Sequence, residues 1–211
     1  MTIAEMKNKV IQGDCLQVMK QMPDKCVDLV LTDPPYGIDL NYDNFNDSEQ
    51  NVRNLVSKFI PEALRIAKTV VITPGVRGID WYPKPTWILA WINRAGAGRS
   101  PWGFACWQPI LVYGKDPFLA QRLGGRSDLI EDNSSSGNFG HPCSKPISLM
   151  QKIIDRTNHN GNGIILDPFL GSGTTAVACK MLKRDFIGIE ISPDYCKIAE
   201  ERLSATPYPM F

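Results

Sequence analysis

The chain has 211 residues, 43% of them hydrophobic and 21% charged, with a formal net charge of +1. This supports one full-sized core, so a single domain over 1–211 is expected. No run of about 18 apolar residues occurs and the opening "MTIAEMKNKVIQGD" is too polar for a secretion signal, so a cytoplasmic protein without a membrane partner is expected. The six cysteines are scattered with no C-x-x-C pair, and there are two histidines. That pattern disfavours zinc and disulfides, so no metal is expected.

Residues 10–37 predict strand, helix, strand: "KVIQGD" is short and apolar, "CLQVMKQM" gathers Leu16, Met19 and Met22 near one face, and "VDLVLTD" is a near-continuous apolar run. The run ends in "DPPYG", where two prolines fix their own φ and carry no N–H, holding Asp33–Tyr36 stiff. Val52, Leu55, Val56, Phe59, Ala63, Leu64 and Ala67 then form a helical stripe, in which Pro61 predicts a kink or break. "TVVIT" reads as a buried strand, "TWILAWINRAG" as a short helix ending near Gly96, and "WQPILVYGK" as another strand.

From 116 to 140 periodicity fades and small polar residues dominate, which predicts a short loop or compact insertion. Ser144 is the expected cap of a helix whose Ile147, Met150, Ile153 and Ile154 face inward. "GIILDPFLGSGTTAVACKMLKRDFIGIEISPDYCKIAEERL" gives strand, Gly-rich turn, helix, strand and a helix opened by Ser192-Pro193. The alternation predicts an α/β, doubly wound, mostly parallel sheet.

Gly171 and Gly173 lie between a buried strand and a helix, where a ligand can approach backbone N–H groups. Thr174 and Thr175 follow without the lysine of a phosphate-binding loop, and Glu190 ends the next strand at a spacing suited to ribose hydroxyls. Asp33 also ends a strand, so both motifs should face one crevice and serve two ligands. One is nucleoside-like. The other meets the Asp33 carboxylate, the Pro34 carbonyl and the Tyr36 ring, an acceptor-rich pocket for a planar group bearing an NH₂. Two acceptors on an amine's hydrogens stabilise the positive charge that grows when it attacks, and a duplex base would have to be flipped out to arrive there.

Lys84, Arg94, Arg99, Lys115, Arg122 and Arg126 concentrate positive charge in residues 84–126, interleaved with tryptophans. The stretch reads either as a nucleic-acid face or as solubilising charge.

"DPPY" at 33–36 together with "DPFLGSGTT" at 167–175 resembles the S-adenosylmethionine-dependent amino methyltransferases of N6-adenine and N4-cytosine in DNA. The catalytic motif precedes the cofactor motif, as in the circularly permuted β group of that family. The resemblance implies a seven-stranded Rossmann-like sheet with one antiparallel strand, and chemistry without a metal. It makes Asp33, Pro34, Pro35 and Tyr36 the catalytic tetrapeptide, with Asp33 also bordering the cofactor. Asp14 and Cys15 would lie by the cofactor adenine; Asp167, Phe169, Gly171, Gly173 and Thr174 around its methionine part; Glu190 on its ribose; Ser144 and Lys145 near its carboxylate. Asp rather than Ser at position 33 favours adenine, with N4-cytosine as the alternative.

Only 25 residues separate Lys115 from His141, where the family usually carries a target-recognition region. Recognition would then come from the basic stretch, from a partner such as a second copy in a homodimer, or be relaxed. An RNA base amine or a protein glutamine as acceptor, and an inert scaffold subunit, are the remaining alternatives.

Overall fold

The computed structural model describes residues 1–208 apart from 43, 44, 97, 136–143, 159, 160 and 162. Positions 141–143 of the "HPCSKP" motif and 136–140 of the expected insertion therefore lie outside the described residues.

A short helix α1 (Ile3–Met6) leads into β1 (Lys9–Gln12), α2 (Cys15–Lys20) and β2 (Val27–Thr32). A small hairpin, β3 (Asn41–Tyr42) and β4 (Phe45–Asn46), precedes α3 (Glu49–Ile66) and β5 (Ala67–Ile72). Next come β6 (Trp87–Ile92), the β7 (Arg99–Ser100) and β8 (Gly103–Phe104) hairpin, β9 (Trp107–Tyr113), α4 (Pro117–Ala120) and β10 (Leu129–Glu131). The chain closes with α5 (Ile147–Thr157), β11 (Ile164–Asp167), α6 (Thr174–Met181), β12 (Asp185–Glu190) and α7 (Pro193–Ala205).

Among the described residues, eight strands form one sheet in the order β1-β12-β11-β2-β5-β9-β6-β10. Every pairing is parallel except those of β9 with β5 and β6, so β9 alone runs against the rest. The single antiparallel strand agrees with expectation; the count is eight, not seven. The added edge strand β10 arises inside the stretch expected to be loop, where Ile130 buries itself in the cluster that holds Leu89 and Trp91.

Adjacent strand residues point to opposite faces, and the core divides accordingly. Val30, Val70, Ile72 and Leu166 pack against Met19, Val56 and Phe59 from α2 and α3. Leu29, Leu31, Val71 and Ile165 pack against Leu149, Ile153, Ala178 and Ala199 from α5, α6 and α7.

Three local expectations are corrected. Residues 87–92 form a strand rather than a helix: six apolar residues are too few for periodicity to decide, and here Leu89 and Trp91 alternate inward from the slot between β9 and β10. Pro61 lies inside α3 without ending it, because Val56, Phe59 and Ile60 before it and Ala63 and Ile66 after it are all buried on one continuous apolar face. Ser144 caps no helix: α5 starts behind Pro146 with no side-chain cap, and the Ser144 hydroxyl lies 3.2 Å from that of Ser172.

Candidate active site

In a doubly wound sheet, ligands collect beyond the carboxyl ends of the strands. The register brings four such ends together, since Thr32 leads β2 into Asp33, β11 ends at Asp167, and β12 ends at Glu190 opposite Gln12 of β1. The Thr32 hydroxyl donates to Asp167 Oδ1 at 2.6 Å and ties β2 to β11 at that level. Between these ends lies a cavity of about 290 Å³.

Glu190 anchors one end. Its Oε2 accepts the Gly171 N–H at 2.7 Å and its Oε1 the Ser192 N–H at 2.8 Å, so it holds the Gly-rich turn in place. A carboxylate offers about four acceptor positions, which leaves capacity for ligand hydroxyls. Burial raises its pKa above the usual carboxylate value, with the Ser192 and Gly171 N–H groups opposing that rise. Gly171 has φ 53°, a left-handed turn that glycine adopts without strain.

Gly173 does not line the cavity. With φ 87° it opens α6, and a Cβ there would come within 2.8 Å of Ala199 Cβ. Its glycine is thus explained by the close approach of α7.

Asp167 is almost wholly buried, 3% exposed. Burial pushes its pKa up to about 6, against the lowering effect of the Thr175 and Thr32 hydroxyls and the Phe169 N–H. Phe169 stands edge-on to Phe59, with ring centroids 5.1 Å apart. Asp14 spends one oxygen capping α2, accepting the Leu16 N–H at 2.8 Å. Cys15 is buried and its thiol is pushed up to about 12, mainly by desolvation, so it is a wall residue and no nucleophile. Asp14, Cys15, Ser144, Lys145, Asp167, Phe169, Gly171, Thr174 and Glu190 all border the cavity.

Asp33, Pro34, Pro35 and Tyr36 border the same cavity. Their loop is fixed by two groups that carry no motif signal. Asp47, 1% exposed, accepts the N–H groups of Gly37 at 2.7 Å and of Ile38 and Leu40 at 3.2 Å. Thr73, at the end of β5, donates its hydroxyl to Asp33 Oδ1, as does Tyr36. Gly37 has φ 66°, and a Cβ there would meet Trp81 Cη2 at 2.7 Å. Trp81 is therefore a buttress of this loop.

Lys145 Nζ lies 2.9 Å from both Asp33 oxygens, touches the Tyr36 hydroxyl and sits 4.8 Å from the centre of the Tyr36 ring. No motif spacing announces this pair, which spans 112 residues.

The basic residues do not assemble into one face. Trp87 pairs with Val112, so Lys84 before β6 and Lys115 after β9 share the rim opposite the cavity, and Arg122 and Arg126 follow in the connection from that end to β10. The Arg126 guanidinium stacks 4.9 Å over Phe118. Arg94 and Arg99 follow β6 on the cavity's rim, and the Arg94 side chain pairs with Glu131 at 2.7 Å. Among the described residues no cluster of metal-ligating side chains occurs, and no helix is long and apolar enough to cross a membrane.

A parallel sheet with one reversed strand, a Gly-rich turn locked by a buried glutamate, and a second rigid acid facing the same cavity define the methyltransferase class of α/β enzyme. A sequence profile described as DNA methylase matches residues 102–201. The chain is 30% identical to "Putative methylase YubD" of Escherichia coli (strain K12), over 96% of this chain and 93% of that protein. The crystal structure of an M1.HpyAVI–SAM complex superposes with a TM-score of 0.67 at 25% identity, covering 92% of this chain and 98% of the other. The cytosine-N4-specific PvuII DNA methyltransferase shares the fold at TM-score 0.67 and 18% identity, over 92% of this chain and 85% of its own. The chain belongs to the N6/N4 family of S-adenosylmethionine-dependent DNA methyltransferases.

Proposed function

We propose that the protein methylates the N6 amine of adenine in DNA, with S-adenosylmethionine as donor, and that it follows the permuted motif order of the β group. The observation that carries this reading is the meeting, in one cavity, of the Asp33–Tyr36 tetrapeptide and the Gly171–Glu190 turn, which lie far apart in the sequence. When bound, S-adenosylmethionine supplies an electrophilic methyl group. Glu190 would take its ribose hydroxyls, the turn at Gly171 and Thr174 together with Asp167 and Phe169 its methionine part, and Asp14 and Cys15 the neighbourhood of its adenine.

The chain's own contribution is placement and polarisation. Asp33 and the Pro34 carbonyl accept the target amine's hydrogens, Pro35 keeps them in register, and Tyr36 stacks on the base. A duplex base reaches them only after flipping, at a cost of a few kcal/mol that stacking partly offsets.

The duplex would lie across the rim where the cavity opens. The same rim carries the β7–β8 hairpin, whose Trp102 is 99% exposed and Phe104 77% exposed. From β2 to the hairpin between β9 and β6 is two to three strand spacings, about 12 Å at ~4.8 Å each. An aromatic wedge within about one duplex width of the pocket, with Arg94 on the same rim, supports reading this rim as the DNA-facing one.

Incubation with tritiated cofactor and mixed unmethylated DNA, followed by mapping of the modified base, tests the reading. Label on N6 of adenine is expected, and Asp33→Ala should abolish it while leaving calorimetric cofactor binding in place. Near-normal turnover by that variant would refute the role of Asp33; label on cytosine N4 would establish the alternative base.

A further inference from the structure

The pocket proposed for the target amine already holds an amine. Lys145 Nζ sits 2.9 Å from each oxygen of Asp33 and against the Tyr36 hydroxyl, and its side chain is 7% exposed. With the Tyr36 and Thr73 hydroxyls also on Oδ1, the lysine fills the acceptor that a base amine would use. Base and lysine therefore compete for one place. The backbone beside Lys145 is tethered, because Ser144 meets Ser172 of the Gly-rich turn, so the long side chain can swing while its root stays at the cofactor end of the cavity.

We propose that Lys145 is a positioning residue that closes the base pocket in the free enzyme and is drawn off Asp33 by the cofactor's amino-acid carboxylate, so that cofactor binding opens the site for DNA. The proposal rests on the assignment of this cavity to S-adenosylmethionine. It adds an energetic trade: part of the attraction between Lys145 and the cofactor carboxylate is spent releasing Asp33. A base that finds Lys145 in place meets a filled acceptor, whereas one that follows the cofactor meets a free carboxylate beside the methyl donor. Coupling of this kind links two sites through a single group with two partners.

The test needs no DNA and no turnover. Binding of S-adenosylhomocysteine, which keeps the carboxylate, is compared by calorimetry with binding of 5′-methylthioadenosine, which shares the nucleoside and sulfur but lacks the amino-acid portion. Asp33→Asn weakens the hold on Lys145, so it should tighten S-adenosylhomocysteine binding about five- to tenfold and leave 5′-methylthioadenosine unchanged. In a Lys145→Met background the same Asp33 change should have no effect on either ligand. A merely structural role for the pair predicts equal effects on both ligands, and an Asp33→Asn variant that binds S-adenosylhomocysteine no tighter than the parent overturns the proposal. Failure of the unaltered protein to bind either ligand would instead refute the cofactor assignment beneath it.

Discussion

Asp167 is held at a cost to stability that can be measured. Its carboxyl titrates near 3.8 when unfolded and at about 6 in the folded chain, because burial disfavours the charged form. The folded state thus binds this proton more tightly than the unfolded state. Stability from this group is fully present below the unfolded pKa and is lost as pH rises through the folded one. At about 1.4 kcal/mol per pH unit the ionised carboxylate costs about 3 kcal/mol at pH 8, and about 1.5 kcal/mol at pH 5.

Asp167→Asn removes the charge and keeps an oxygen for the Thr32 hydroxyl and the Phe169 N–H. Urea unfolding of both proteins from pH 5 to pH 8 should show the variant gaining on the parent as pH rises, by about 1.5 kcal/mol across that window. Parallel profiles would refute the account of a carboxylate forced into the core. A site residue that destabilises the empty fold is expected to be compensated by its ligand. The cofactor's cationic methionine part favours the ionised form, so its binding should release a proton between pH 5 and pH 7 in the parent and none from this site in Asp167→Asn.

Glu190→Ala deletes both the ribose acceptor and the clamp on the Gly171 N–H, so the cofactor KM should rise by the equivalent of about 1–3 kcal/mol with kcat less affected; an unchanged KM would remove Glu190 from the cofactor site. Gly37→Ala forces a left-handed φ and a 2.7 Å clash with Trp81, and should lower stability by about 1–3 kcal/mol and disturb the tetrapeptide, read as a lower denaturant midpoint together with weaker methylation. Trp102→Ala should lower DNA affinity and base flipping, reported by a 2-aminopurine duplex, without changing cofactor affinity. Joint neutralisation of Arg122 and Arg126, on the opposite rim, should leave the salt dependence of DNA binding unchanged, and a reduced slope would return the DNA to that side.

The two βαβ units were legible because their strands are continuous apolar runs and their turns carry constrained residues: prolines after β2, glycines after β11. Local chemistry reports local geometry there. Apart from β9, which "WQPILVYGK" announces, the stretch from 86 to 135 was not legible for the opposite reason. "WILAWI" is too short for periodicity to separate helix from strand, and only the vacancy between β9 and β10 decides it. The basic residues show the same limit in another form. Each strand of this region crosses the sheet, so successive connections emerge on alternating rims, and charges close in sequence are divided between the cavity side and its opposite.

What the motifs could not disclose is the set of partners that make Asp33 usable. Thr73 comes from just past the neighbouring strand, Asp47 from just past the following hairpin, and Lys145 from the segment that leads into α5. Prolines can aim a carboxylate, but they cannot determine what it holds when no substrate is bound. That is settled by tertiary contacts, here between an acid and a lysine that lie 112 residues apart in the chain. The stiffness written into "DPPY" therefore has a second consequence. A rigid acceptor that cannot turn away from a competing amine needs that amine to be movable, and the long, singly rooted Lys145 side chain meets that requirement beside the turn where the cofactor is expected.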